Sequence, residues 1–244
     1  MGTPLPESVP AVIARLRAIE ESAPPSDGVV CFARLYREVT EGVGDELASQ
    51  SASEGEFLER LDVGFAGLFF SAFDAFERGA ADVPSAWVPL FSERSRRGVA
   101  PLQFALAGVN AHINRDLPVA LVDSCRELAV DIFDVAPDHA TFERVNVLLG
   151  QVEQKLKALY LTGWLRAVDR LLHRFHRLDD VIAMWDVTHA RDAAWTNGRT
   201  LWGLRGSPPL AGDFLDVLDS MVGFASRGLL LPADTLLGKL ARLV

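Results

Sequence analysis

The sequence predicts an all-α fold, a single domain built as an orthogonal, bundle-like array of roughly eight to ten helices. Three observations predict it. Strand signals are scarce: no run alternates β-branched and polar residues, and most valines stand at helical spacing. Apolar residues recur three and four positions apart along almost the whole chain. The breaks between these stretches are short and rich in Pro and Gly, and none is long or polar enough to separate domains. A chain of 244 residues buries about 70% of its unfolded surface, so it needs no metal or disulfide to fold.

The elements follow in order. The first helix starts at Ser8, carries Pro10 in its first turn and lines up Val9, Val12, Ile13, Leu16 and Ile19. Pro24, Pro25 and Gly28 break it. A second helix holds Val29, Val30, Phe32, Ala33, Tyr36, Val39 and Val43 on its apolar face. A third covers about residues 54–78 and is apolar on more than one face, which predicts a central helix. Pro84 opens a shorter helix with Trp87, Val88 and Phe91. Pro101 opens a helix that runs to about Asp116, where Pro118 predicts a kink or a new start. Further helices are expected over about residues 117–132, 140–164, 165–175 and 180–204. Gly206, Ser207, Pro208 and Pro209 form the clearest break. The single domain, residues 1–244, thus reads as an N-terminal helix and loop (1–27), a core (28–205) and a helical tail (206–244), the tail holding short helices near 210–226 and 233–243.

Composition narrows the function. Apolar residues make up 49% and charged residues 23%, as in an ordinary globular protein. The formal charge is −9, which repels phosphate backbones and speaks against nucleic acid as a partner. No apolar run reaches the roughly 18 residues that a membrane span needs, and no basic run marks a lipid surface, so no membrane partner is expected. The N-terminus lacks the features of a signal peptide, and Cys31 and Cys125 read as buried, reduced thiols. A cytoplasmic protein is the expectation. Lysine is confined to Lys155, Lys157 and Lys239 among 24 basic residues, a bias of GC-rich bacterial coding.

The segment Asn110-Ala111-His112-Ile113-Asn114-Arg115-Asp116 is where chemistry concentrates. On a helix, Asn110 pairs with Asn114 and His112 with Asp116, each four apart. The two pairs flank the apolar stripe of Leu102, Leu106, Val109, Ile113 and Leu117. Polar groups bordering a core must be hydrogen-bonded or cost about 1–3 kcal/mol each. Three readings stand side by side. Asp116 can hold one His112 tautomer so that the other ring nitrogen acts as a general base. His112 and Asp116 can ligate a divalent metal from successive turns. All four can tie this helix to its neighbours and touch no ligand. A metal needs further ligands, for which His173, His176, Asp180, His189 and Glu153 are candidates, although arginines flank His173 and His176.

A second stripe carries Trp185, Thr188, Asp192, Trp195, Arg199 and Trp202, with His189 and Arg191 beside it. Large aromatics with a few placed polar groups resemble the wall of a small-molecule pocket, and a plain packing face gives the same pattern. Asp62 sits one step off the Leu58, Leu61 and Phe65 row, and Asn146 and Glu153 share a face further along. There is no Gly-x-Gly-x-x-Gly, Walker loop, Gly-x-Ser-x-Gly elbow, Cys-x-x-Cys or His-Glu-x-x-His.

From Phe104 to Pro118 the sequence resembles the bacterial domain-of-unknown-function family numbered 5995, whose mark is a Gly-x-Asn-Ala-His-Ile-Asn-x-Asp-Leu block. Residues 57–62 look like that family's early helix, and residues 190–195 like its late Arg-x-x-Ala-Trp segment. The resemblance implies a helical fold and draws attention to Asn110, His112, Asn114, Asp116, Asp62 and Arg191. It implies no activity.

The leading expectation is a cofactor-independent enzyme of bacterial secondary metabolism, a cyclase, isomerase or lyase acting on a small apolar or amphipathic substrate. His112, oriented by Asp116, moves the proton, and Asn110 and Asn114 bind or polarise a carbonyl. Asp62, Trp185, His189, Arg191, Asp192 and Trp195 shape the pocket. One alternative is a metal-dependent hydrolase with His112 and Asp116 as ligands. Another is a non-catalytic ligand-binding or interaction protein.

Overall fold

A computed structural model describes residues 4–47, 52–133 and 187–232. The described residues form helices and turns, with no strand among them, as the periodicity predicts. Helices α1 (Val9–Glu21), α2 (Gly28–Leu47), α3 (Ala52–Glu77) and α4 (Val88–Glu93) come first. Then α5 (Pro101–Ala111) passes through a widened turn (His112–Asp116) into α6 (Leu117–Glu127). After them come α7 (Val187–Gly203) and α8 (Pro208–Leu229). The total of eight to ten is a count over the whole chain, and the helices expected over 140–175 and 233–243 lie outside the described residues, as do Trp185, Asn146, Glu153, His173, His176 and Asp180.

Local chemistry explains the boundaries. Ser8 caps α1, its hydroxyl accepting the Ala11 N–H at 3.4 Å, and Val9, Val12, Leu16 and Ile19 are buried as the spacing predicts. Asp27 does the same for α2, its Oδ1 accepting from the Val29 amide at 2.8 Å. Gly79 ends α3 at φ +67°, a left-handed conformation that costs glycine nothing. Gln103 folds its side chain back to accept the Ala100 N–H at 2.9 Å at the start of α5.

Helix α5 lies at the centre, buried from Leu102 to Ala111 and packed against α2 on one side and α8 on the other. Helix α3 crosses both the widened turn and α6, and α7 covers α6. The helix expected near 210–226 is present and longer at both ends. Helix α8 begins at Pro208 with Ser207 before it and runs unbroken to Leu229. It is bound into the core. Asn110 donates to the Val222 carbonyl at 3.1 Å and to the Ser226 hydroxyl at 3.0 Å. Gln103 donates to the carbonyls of Leu229 and Leu231 at 2.7 and 2.8 Å, satisfying two groups at the C-terminal end of α8. Asp219 accepts the Ser85 and Ala86 amides at 2.5 and 3.1 Å. Among the described residues, no helix is long and apolar enough to cross a membrane.

Candidate active site

The segment expected to be ordinary α-helix is a π turn. The Leu117 N–H reaches back five residues to the His112 carbonyl. Pro118 is the physical reason. Its ring crowds the carbonyl four residues earlier and it has no N–H to donate, so the turn widens ahead of it and no break follows. Single π turns of this kind recur at functional sites.

Both expected i, i+4 pairs form. His112 Nδ1 lies 3.1 Å from Asp116 Oδ2, and Asn114 donates to Asn110 Oδ1 at 2.9 Å. They differ in what remains open. Asn110 spends its amide protons on α8 and its oxygen on Asn114, which makes it a tie between helices. Asp116 is fully buried. Its Oδ2 accepts from Trp87 Nε1 at 3.0 Å as well as from His112, and its Oδ1 accepts from Arg115 at 2.9 Å. Arg115 in turn lies 3.5 Å from Asp219, the residue that clamps the turn leading into Trp87. The carboxylate is therefore held from α8, from the 85–87 turn and from its own helix.

A carboxylate only accepts, so His112 carries its proton on Nδ1 and presents a lone pair at Nε2. Nε2 is shut from solvent and has no hydrogen-bond partner among the described residues. Burial pushes the His112 pKa below its usual value, and the Asp116 hydrogen bond opposes that only partly. The imidazole is a neutral base near pH 7.

Rings enclose it. Phe65 lies flat on the imidazole, centroids 3.5 Å apart and planes 7° apart. Tyr36 meets it edge-on at 4.6 Å, and Phe32, Trp87 and Phe69 stand at 5.7, 5.9 and 6.4 Å. Of these five rings only Phe65 is not fully buried. Tyr36 Oη and Asp62 Oδ2 are also buried without a partner among the described residues. Each such atom costs about 1–3 kcal/mol. Burial, helped by the Glu59 charge, pushes the Asp62 carboxyl up to about 7. Burial, with the charges of Asp62 and Asp116, also holds the Tyr36 hydroxyl well above its usual range.

The family model described as a family of unknown function (DUF5995) matches residues 9–232. The chain belongs to that family. The DUF5995 match spans the whole site, from Tyr36 on α2 to Asp219 on α8. No curated protein and no solved structure matches the chain.

The remaining expected residues of this DUF5995 protein separate. Trp195 and Trp202 are buried on α7, whereas Asp192 and Arg199 are exposed, and Arg199 covers the Phe133 ring at 4.8 Å. The stripe is thus split, and Asp192 stands outside its buried face. His189 and Arg191 lie on α7. Among the described residues no three His, Cys, Asp or Glu side chains gather as a metal site. Sequence reasoning missed Tyr36 and Trp87 as site residues, placing both among core aromatics. The signal that could have found them was chemical: each carries a polar atom that a wholly apolar face cannot satisfy.

Proposed function

We propose that this protein is a cofactor-independent enzyme of bacterial secondary metabolism that moves a proton on a small, largely apolar molecule, as an isomerase, cyclase or lyase does. One observation carries the reading. His112 is fixed in one tautomer by a saturated, immobile carboxylate, while its basic Nε2 is buried among rings with no partner among the described residues. A histidine that served packing alone would carry that unsatisfied nitrogen at a cost. A base kept neutral and oriented is what proton abstraction needs.

The aromatic box suits an apolar substrate, and Phe65 is the ring that moves to admit it. A groove of about 370 Å³ opens one helical turn beyond Phe65, at Leu68 and Ala72, and reaches Arg115 behind Asp116. Two buried, unpaired thiols suit a cytoplasmic protein. The metal reading finds less support, because the Asp116 oxygens already take three N–H donors and offer a cation little.

The test is hydrogen exchange with solvent. The protein is incubated in D2O with a panel of small apolar ketones and unsaturated acids, and deuterium uptake is read by mass spectrometry. At least one compound should gain deuterium, and His112→Gln should slow that uptake by about 100-fold or more. Uptake that survives in His112→Gln, or no uptake across the panel, would overturn the proposal.

A further inference from the structure

Helix α2 carries Tyr36 one turn beyond Phe32, and both rings face the imidazole. Helix α3 carries Asp62 one turn before Phe65, whose ring lies on the same imidazole. Two elements thus bring a phenol and a carboxyl to one aromatic box, and each ends in an oxygen that is buried and unpartnered among the described residues. With His112 Nε2 there are three such atoms. Among the described residues, no protein group satisfies any of them.

We infer that Tyr36 and Asp62 form the other half of the site, two O–H donors that hold the oxyanion of a carbonyl substrate while His112 moves a proton from the adjacent carbon. This rests on the acid–base reading of His112 and names its substrate class, a ketone, aldehyde or ester with a hydrogen on the carbon beside the carbonyl. The carbonyl oxygen has two lone pairs, one for each O–H. The step balances without a co-reactant. Nε2 takes the proton as the C–H bond breaks, the electron pair forms the new C=C bond, and the carbonyl π pair moves onto oxygen. Return of that proton from Nε2 to the same carbon restores the substrate; where the substrate carries a C=C bond β,γ to the carbonyl, its return to the γ carbon completes an isomerisation, and in either case the oxygen reforms its carbonyl.

The electrostatics favour these protonation states. Among the described residues, Glu59 on the same helix acts on Asp62, Asp62 and Asp116 act on Tyr36, and the neighbouring Arg60 is paired with Glu127 of α6 at 3.3 Å. The Glu59 charge opposes a second negative charge on Asp62, and Asp62 and Asp116 oppose a phenolate at Tyr36. Tyr36 keeps its proton at neutral pH, and Asp62 keeps its own below about 7.

Binding of 2-naphthol, a planar aromatic alcohol whose oxygen mimics an enol, tests the pair. The full-length protein is titrated at pH 6 and naphthol fluorescence is followed. The wild type should bind, and Tyr36→Phe and Asp62→Asn should each weaken binding about tenfold or more. Wild-type binding should also weaken as pH rises through about 7, where Asp62 ionises, and Asp62→Asn should lose that dependence. Tyr36→Phe deletes an oxygen with no partner among the described residues, and Asp62→Asn replaces a buried ionisable carboxyl with a neutral amide of the same shape, so their Tm should not fall below that of the wild type. No binding by the wild type, unchanged binding in both variants, or a lowered Tm in either would overturn the inference. The deuterium experiment on His112→Gln separates the two ideas. If exchange depends on His112 while naphthol ignores Tyr36 and Asp62, this inference alone fails.

Discussion

Burial acts on Asp62 and His112 in the same physical sense, against charge, and so in opposite directions on the pH axis. The Asp62 carboxyl is raised from its usual 3.8 to about 7, so its neutral form is favoured in the fold. Its contribution to stability is complete below about pH 4 and is lost as pH rises through about 7. His112 is lowered, so its contribution is complete above its usual 6.5 and is lost as pH falls. Asp62→Asn should therefore be close to wild-type stability at pH 4 and more stable at pH 8. The gain there should be on the order of 2 kcal/mol once the partial exposure of the residue is allowed for. Urea unfolding at the two pH values checks it; equal differences at both would mean that Asp62 ionises freely in the fold. The His112 and Asp116 pairing was legible in the sequence because i, i+4 geometry is local. Tyr36 was not, because it stands 76 positions before His112 and only the packing of α2 on α5 brings the rings together.

At the level of elements, two close approaches set the site. Gly108 on α5 lets the Phe32 ring lie directly on the helix, and Gly223 on α8 lets the Ser85 carbonyl do the same. The neighbour at Gly223 is backbone, which cannot swing aside. Gly223→Ala should therefore push α8 away from the 85–87 turn and cost about 2–3 kcal/mol. Urea unfolding gives the cost, and His112 ring shifts in NMR spectra should move because Asp219, Arg115 and Trp87 all lead to Asp116. A neutral or stabilising substitution would contradict the packing. The π turn shows why local rules reach only so far. Pro118 announces a disturbance, but kink, break and widened turn all answer it. Packing of the widened turn and α6 against both α3 and α7 selects the third.

Across the whole molecule, α8 locks the site from outside. It is joined to α5 through Asn110 and Gln103 and to the 85–87 turn through Asp219, in places more than 110 residues apart in sequence. Asp219→Ala should strip two backbone N–H groups of their acceptor and Arg115 of a partner. It should cost about 1–3 kcal/mol and slow deuterium exchange together with loss of stability. Asn110→Ala should lower stability by a similar amount while leaving the identity of the base unchanged. Thermal melts paired with the exchange assay distinguish the two, and a fully active, fully stable Asp219→Ala would show that α8 does not position Asp116.

The sequence by itself determined the all-α class, the starts of α1, α5 and α8, the burial of α5 and the His112 and Asp116 pair. These follow from spacing along one chain, from prolines and from capping side chains, all of which act within a few residues. Only the tertiary structure decided that the turn at His112 is widened, that Asn110 ties helices, that Asp192 faces outward and that the Tyr36 ring meets the His112 imidazole. Each of those outcomes depends on which helix faces which. That is set by the summed packing of distant surfaces and by where buried polar atoms find partners, or are left without them.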